Sequence, residues 1–285
     1  MLSDRLIKVD FSRGFPSLSK YDKEISLEIA EIKGADVNKI RLTKRLYDKQ
    51  FTRFEKIAQD FQNYFYSITE RWGKDYILPS FLFETFNEKY QKAKEEFEKS
   101  KRDFIAGIES GLILDKSKND LNLAFNSSDY RRLYNIEKKF YFEVEYSQFI
   151  ADPKSIFLNI NEVELEKIRL EESVKFEKRF NEVINSVWNK TAEAIKNLLD
   201  KLEMPEKNEN GRKNSYKEST LKKVQNLTSY IEGFNLNDDI RLKEISEMIK
   251  GISEYTKEDL EKFPEIRNEV REKTSEIMKK INSYI

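Results

Sequence analysis

The sequence predicts a mainly α protein, an elongated antiparallel helical bundle with coiled-coil character and a small β element near the N-terminus. Three observations carry this. Apolar residues recur three and four positions apart over long stretches from about residue 39 onward. Charged residues make up 36% of the chain, above the roughly 25% of ordinary globular domains, with only 8 Gly and 5 Pro to break helices. The first forty residues instead alternate with period two. Aromatic content of 13%, with 20 Phe and 14 Tyr, supplies the bulk needed to offset chain ordering.

Ile7, Val9 and Phe11 alternate with Lys8, Asp10 and Ser12, which reads as a strand, and Gly14 and Pro16 mark a turn. Ile25, Leu27 and Ile29 alternate again before a second turn at Gly34-Ala35-Asp36. A strand is expected there, with a helix over residues 22–32 as its competitor. Leu42, Leu46, Phe54, Phe61, Phe65, Ile68 and Trp72 then predict one helix of about 30 residues, stopped by Gly73 and Leu78-Pro79. Phe83, Phe86, Tyr90, Ala93, Phe97 and Phe104 form a heptad seam. Residues 110–127 read as a loop, and Ser128 or Asp129 as the cap of a helix over Tyr130–Tyr146.

Asp152-Pro153 breaks the pattern, and the longest helix is expected from about Asn161 to Leu202, with Phe176, Phe180, Val183, Val187, Ala194, Leu198 and Leu202 on its apolar face. Glu203–Ser215, containing Pro205 and Asn210-Gly211, reads as a linker. Three helices follow, at about 216–232, 239–251 and 257–283, the last with Ile266, Val270, Ile277 and Ile281 on one face. No repeat of fixed period runs along the chain, which disfavours a solenoid. The expected regions are 1–75 (β element plus long basic helix), 76–204 (long-helix body) and 216–285 (C-terminal helices).

The chain contains no histidine and no cysteine. That removes Ser-His-Asp and Cys-His catalysis, ordinary zinc sites and redox dithiols. Neither a G-x-x-x-x-G-K-[ST] nor a G-x-G-x-x-G phosphate loop is present. Glu-x-x-His di-iron ligands cannot exist without histidine. The expectation is a protein that is not an enzyme and takes no cofactor or metal. Lys+Arg and Asp+Glu are equal at 52 each, so no global field steers the chain toward nucleic acid. No apolar run approaches a transmembrane span, and the N-terminus shows no signal-peptide core. No membrane association and a cytoplasmic location are therefore expected.

The strongest functional candidate is basic. Lys39–Lys56 carries seven cations against Asp48 and Glu55. Arg41, Lys44, Arg45, Lys49, Arg53 and Lys56 are the candidate contacts to a partner or to nucleic acid, and Arg41, Arg45, Lys49 and Arg53, spaced by four, would form a stripe on one helix face. Tyr47 or Phe51 could stack on bases if exposed. A solvated or internally paired charged face is the competing reading. Asn235, Asn237 and Asp239 resemble the opening of a calcium loop, but Ile240 and Ser246 stand where Gly and Glu are needed, so helix capping by Asn237 or Asp238 is expected. Glu31-Ile32-Lys33 superficially fits the last strand of a metal-dependent nuclease. The stripes Phe54/Phe61/Phe65 and Phe83/Phe86/Tyr90 read as core.

Several short segments carry a resemblance. Leu6-Ile7-Lys8-Val9-Asp10-Phe11-Ser12, Lys44-Arg45-Leu46, Leu78-Pro79 leading to Phe86-Asn87-Glu88, Asp129-Tyr130 followed by Phe140, and Leu221 to Asp239 are similar to an uncharacterised helical family found mostly in tailed phages and prophages. Its members are often encoded near a MoxR-type AAA+ ATPase and a von Willebrand factor A-domain protein. The resemblance implies a non-enzymatic phage component acting inside a multi-protein assembly. It carries over no site residue. The function expected is binding of a protein partner, an ATPase assembly or a host defence complex that it inhibits in the manner of an anti-CRISPR. Nucleic-acid binding through Lys39–Lys56 is the alternative, and homo-oligomers through the long helices are a further expectation.

Overall fold

The computed structural model describes residues 2–130, 136–150, 161–204 and 218–284. The protein is mainly helical with a small sheet. Its chain packs as two units, one formed by Met1–Lys8, Ile68–Phe81 and Ser147–Ile285, the other by Val9–Ser67 and Leu82–Tyr146.

A short α1 (Leu2–Arg5) leads into β1 (Leu6–Gly14), where the period-two signal of Ile7–Phe11 predicted a strand. β2 (Ser19–Tyr21) pairs antiparallel with β3 (Thr43–Arg45), Ser19 opposite Arg45 and Tyr21 opposite Thr43. Between them, α2 (Lys23–Lys33) resolves the strand-or-helix ambiguity in favour of helix. Asp22 caps it by accepting from the Ile25 amide, and Gly34, at φ 60°, closes it. Glu31-Ile32-Lys33 is thus the last turn of a helix, and its superficial likeness to a nuclease strand is a chance match.

The long basic helix expected from residue 39 is not formed. Asp36 and Asp48 each cap a 3₁₀ turn (Val37–Lys39 and Lys49–Phe51), β3 lies between those turns, and α3 spans only Arg53–Ile68. Local Asp side chains compete with the helix for the backbone amides here. Past α3 the chain makes an antiparallel hairpin, β4 (Glu70–Trp72) and β5 (Asp75–Pro79), turning on Gly73 at φ 67°. The sheet order is β4-β5-β1-β6, with β6 at Tyr141–Gln148. A helix was expected over Tyr130–Tyr146. Phe142 is buried and Val144 half-buried while Tyr141, Glu143 and Glu145 face out, the alternation of a strand. Residues 131–135 of that expected helix lie outside the described residues.

In the unit containing Val9–Ser67, α3 and α4 (Phe83–Glu109) enclose an aromatic core. The Phe54 ring meets Phe140 edge-on at 4.9 Å and Phe104 at 5.4 Å, and Phe61 meets Phe11 at 4.9 Å. The two aromatic stripes read as core are core here, except that Phe83 is half-buried. Residues 112–121, expected as loop, form α5 (Leu112–Leu121), whose Ile113 and Ser117 are buried.

In the other unit, α6 (Glu162–Leu202), α7 (Glu218–Phe234), α8 (Ile240–Ser253) and α10 (Pro264–Tyr284) pack in a ring, each against two of the others. Val187, Ile195 and Leu198 of α6 meet Ile231 and Phe234 of α7, Ile245 and Ile249 of α8, and Ile277 and Ile281 of α10 in one core. The helix expected over 257–283 is divided by Phe263-Pro264 into α9 (Lys257–Lys262) and α10. The linker read at Glu203–Ser215 lies outside the described residues beyond Met204, as does the break at Asp152-Pro153.

Candidate functional site

The six candidate cations separate into three fates. Lys44, on β3, is largely buried. Its Nζ donates to the Ala124 carbonyl at 2.7 Å and sits 2.8 Å from Asp22 Oδ2 and 2.9 Å from Asp129 Oδ2. Lys20 approaches the other Asp129 oxygen at 2.5 Å. The node is charge-balanced. Burial pulls the Lys44 ammonium toward neutrality, but the two carboxylates outweigh it and hold its pKa above the usual value. Lys44 holds the Asp22 carboxyl below the usual carboxylate range. For Asp129, burial opposes ionisation, and the bonds from Lys20 and Lys44 overcome it, so its pKa is also lowered. Lys44 is therefore a structural residue and leaves the candidate interface.

Arg41 stays exposed beside β3, its guanidinium 5.1 Å from the centre of the Tyr21 ring. It is not among the groove residues described next.

Arg45, Lys49, Arg53 and Lys56 come together. They line an open groove of about 550 Å³ with Gln50, Thr52, Glu55, Gln59 and Asp60. The local structure explains why. Arg45 is fixed in the wall, with Nε donating to the Tyr47 carbonyl at 3.0 Å and its Nη2 to Thr52 Oγ1 and Glu55 Oε2, both at 2.8 Å. The 3₁₀ turn capped by Asp48 presents Lys49, and α3 begins at Arg53 with Lys56 one turn on. Lys49, Arg53 and Lys56 are exposed, and among the described residues none makes an ion pair. Cations at the positive end of a helix are placed against its dipole. Glu55 in the first turn offsets part of this but is engaged by Arg45. Arg53 also lines a neighbouring groove of about 430 Å³ with Glu96, Lys99 and Asp103. Tyr47 and Phe51 do not serve it as stacking platforms, since Tyr47 is buried against Phe104 and Phe51 is half-buried.

A second charged cluster has no local signal in the sequence. Glu70, buried on β4, accepts from the Tyr230 hydroxyl and the Lys190 ammonium, and Lys190 Nζ lies 3.4 Å from the Thr69 carbonyl. Burial and the Glu70 charge both push the Tyr230 pKa up. These partners are separated by 120 and 160 positions, so only tertiary structure reveals them. The cluster ties the β4–β5 hairpin to α6 and α7.

The calcium-like segment is a cap. The buried Asn235 side chain accepts from the Asp239 amide at 2.8 Å and donates to the Asp239 carbonyl at 2.9 Å. Asp239 itself, rather than Asn237 or Asp238, caps α8 by accepting from the Arg241 amide. Among the described residues no three metal-ligating side chains converge, and no helix is long and apolar enough to cross a membrane.

The fold and the groove define a mainly helical protein presenting an open basic concavity at a helix head. No known protein family, characterised protein or solved structure matches the chain.

Proposed function

We propose that the protein is a non-enzymatic, cytoplasmic interaction protein whose protein partner docks an acidic segment in the groove at the head of α3. The observation that carries this reading is the convergence of Lys49, Arg53 and Lys56, exposed and without ion pairs among the described residues, around one open groove. A carboxylate entering there relieves cation–cation repulsion and the unfavourable encounter with the helix dipole. The Arg45 guanidinium, already oriented by Thr52 and Glu55, stiffens the wall without conformational cost at binding.

Nucleic-acid binding through the same cations is the second reading. Glu55 and Asp60 stand against it, since both line the groove and would repel a continuous phosphate backbone. The family resemblance supports a phage-type role, with an ATPase assembly or a host defence complex as the partner class. The elongated, coiled-coil-like bundle expected from the long helical periodicity belongs to the same proposal.

The test is capture of partners by the full-length tagged chain from infected and uninfected bacterial lysates, with and without nuclease. A nuclease-resistant, stoichiometric protein is expected, lost when Lys49, Arg53 and Lys56 are all changed to Glu. Equal capture by the triple variant would remove the groove from the account. Recovery of nucleic acid alone would favour the second reading.

A further inference from the structure

The first half of α6 carries a pattern of its own. Val163-Glu164-Leu165-Glu166-Lys167 recurs eleven residues later as Val174-Lys175-Phe176-Glu177-Lys178, and Glu171 recurs as Glu182. Eleven residues make just over three helical turns, so equivalent positions stack on one face with little drift. The third position of each repeat faces inward, Leu165 being buried and the Phe176 ring lying 5.0 Å from Trp72. The first position faces out. Val163 and Val174 are 68% and 62% exposed, and Leu170, in line between them, is 69% exposed. Single exposed aliphatics are ordinary; three in register along one helix form a seam.

The seam has charged edges of opposite sign. At 100° per residue, Lys167 and Lys178 fall on one side of the apolar line and Glu166 and Glu177 on the other. Glu171 and Glu182 lie farther out, beyond the lysines. Lys167 and Glu177 make no ion pair among the described residues. Glu166 meets Arg169 at 2.8 Å, and Lys178 meets Glu182 only at 3.9 Å.

This edge pattern selects a partner. If two copies pack seam to seam in parallel, a two-fold axis along the helices sets each lysine edge against the other copy's glutamate edge, on both sides. If they pack antiparallel, the two-fold axis crosses the helices and sets lysine against lysine and glutamate against glutamate. We propose that the protein self-associates as a parallel dimer through this face of α6, with Val163, Leu170 and Val174 meeting their own counterparts. Asn181, next in line and exposed, meets itself in the parallel arrangement, a pairing that favours two strands in register. The contact is short, so association in the micromolar range is expected.

Sedimentation equilibrium and light scattering on the full chain, from about 1 to 200 μM, test this against the 34.0 kDa monomer mass. A concentration-dependent rise to twice that mass is expected. Leu170→Glu with Val174→Glu, both on exposed positions, raises the dissociation constant at least about tenfold while the helical circular dichroism is unchanged. Lys167→Glu with Lys178→Glu, and separately Glu166→Lys with Glu177→Lys, each weaken pairing, and mixing the two variants restores it as a heterodimer. Because the chain has no cysteine, Val163→Cys reports orientation, since a parallel pair brings the two sulfurs within disulfide reach and an antiparallel pair does not. A monomer at every concentration overturns the proposal and gives this face to a different protein. A dimer indifferent to the Leu170 and Val174 changes overturns it by placing the contact elsewhere. A dimer that Val163→Cys fails to cross-link overturns the parallel arrangement.

Discussion

Replacing Lys44 with Met keeps an apolar stem of similar length but removes the ammonium shared by Asp22 and Asp129. The side chains of Lys44, Asp22 and Asp129 are 11%, 10% and 4% exposed. The node therefore lies nearer the buried limit, where breaking a pair costs about 3–5 kcal/mol, than the surface limit of about 1 kcal/mol or less. Lys20 remains on Asp129 in the variant, so the expected loss is at the low end, about 3 kcal/mol. Two carboxylates are left partly desolvated, and the paired strands β2 and β3, the cap of α2 and the 126–130 turn lose their common tie. Urea unfolding followed by circular dichroism reads this as a lower midpoint at unchanged slope.

The pH dependence has a definite sign. Asp22 and Asp129 titrate below their usual 3.8 in the folded state. Their stabilisation is present above that value and is lost as pH falls through the lower folded values. Lys44 titrates above its usual 10.5, so its stabilisation is present below that value and is lost as pH rises past it. The gap between wild type and Lys44→Met is thus widest between these limits and narrows as pH falls through the lowered folded values of the two carboxyls. Lys20→Met, at a side chain 51% exposed, costs under about 1 kcal/mol and serves as the surface control. A Lys44→Met loss no greater than the Lys20→Met loss would refute the buried-node reasoning.

Three further outcomes are expected. Gly14→Ala places a methyl group into the Tyr141 ring, which must swing away from β1, and costs about 1–3 kcal/mol in thermal or urea unfolding. Tyr230→Phe removes a hydroxyl donor from buried Glu70 and costs about 1–3 kcal/mol, whereas Tyr230→Phe combined with Glu70→Gln costs less than the sum of the two single changes, as a double-mutant cycle will measure. The Lys49, Arg53 and Lys56 reversals change stability by no more than about 0.5 kcal/mol each, because all three are exposed, so any loss of partner capture is a loss of contact and not of fold.

The sequence was most legible where one periodicity ran long without local competition. β1 and α4 follow their apolar patterns closely, and α6 begins and ends within a residue of expectation. The misread segments share a cause. Over residues 42–52 and at 70–72, apolar spacing continued to fit a helix while Asp48 capped a 3₁₀ turn and Gly73, expected to stop that helix, instead turns a hairpin through its positive φ. At 141–148 a period-two pattern in Tyr-Phe-Glu-Val-Glu was overrun by the helical reading that preceded it. α5 was missed because its short amphipathic run is rich in Asn, Asp, Ser and Lys, which read as loop.

The candidate site was legible in composition but not in shape. The cluster of cations at 41–56 is local, and four of its six members do share one groove. That they share it across a strand, a 3₁₀ turn and a helix head was not readable from a spacing of four. Nor was the fate of Lys44, whose partners Asp22 and Asp129 lie 22 and 85 residues away. Exposure of a charge depends on what folds over it, and that information is tertiary.

The most direct test of the central claim is site-specific photo-cross-linking in cells from the groove. A photoreactive residue at position 49 or 56 is expected to trap one protein, while the same residue at exposed Lys223 on α7 traps none of it. Trapping of that protein from position 223 as readily as from the groove, or nucleic acid alone from positions 49 and 56, would contradict the account.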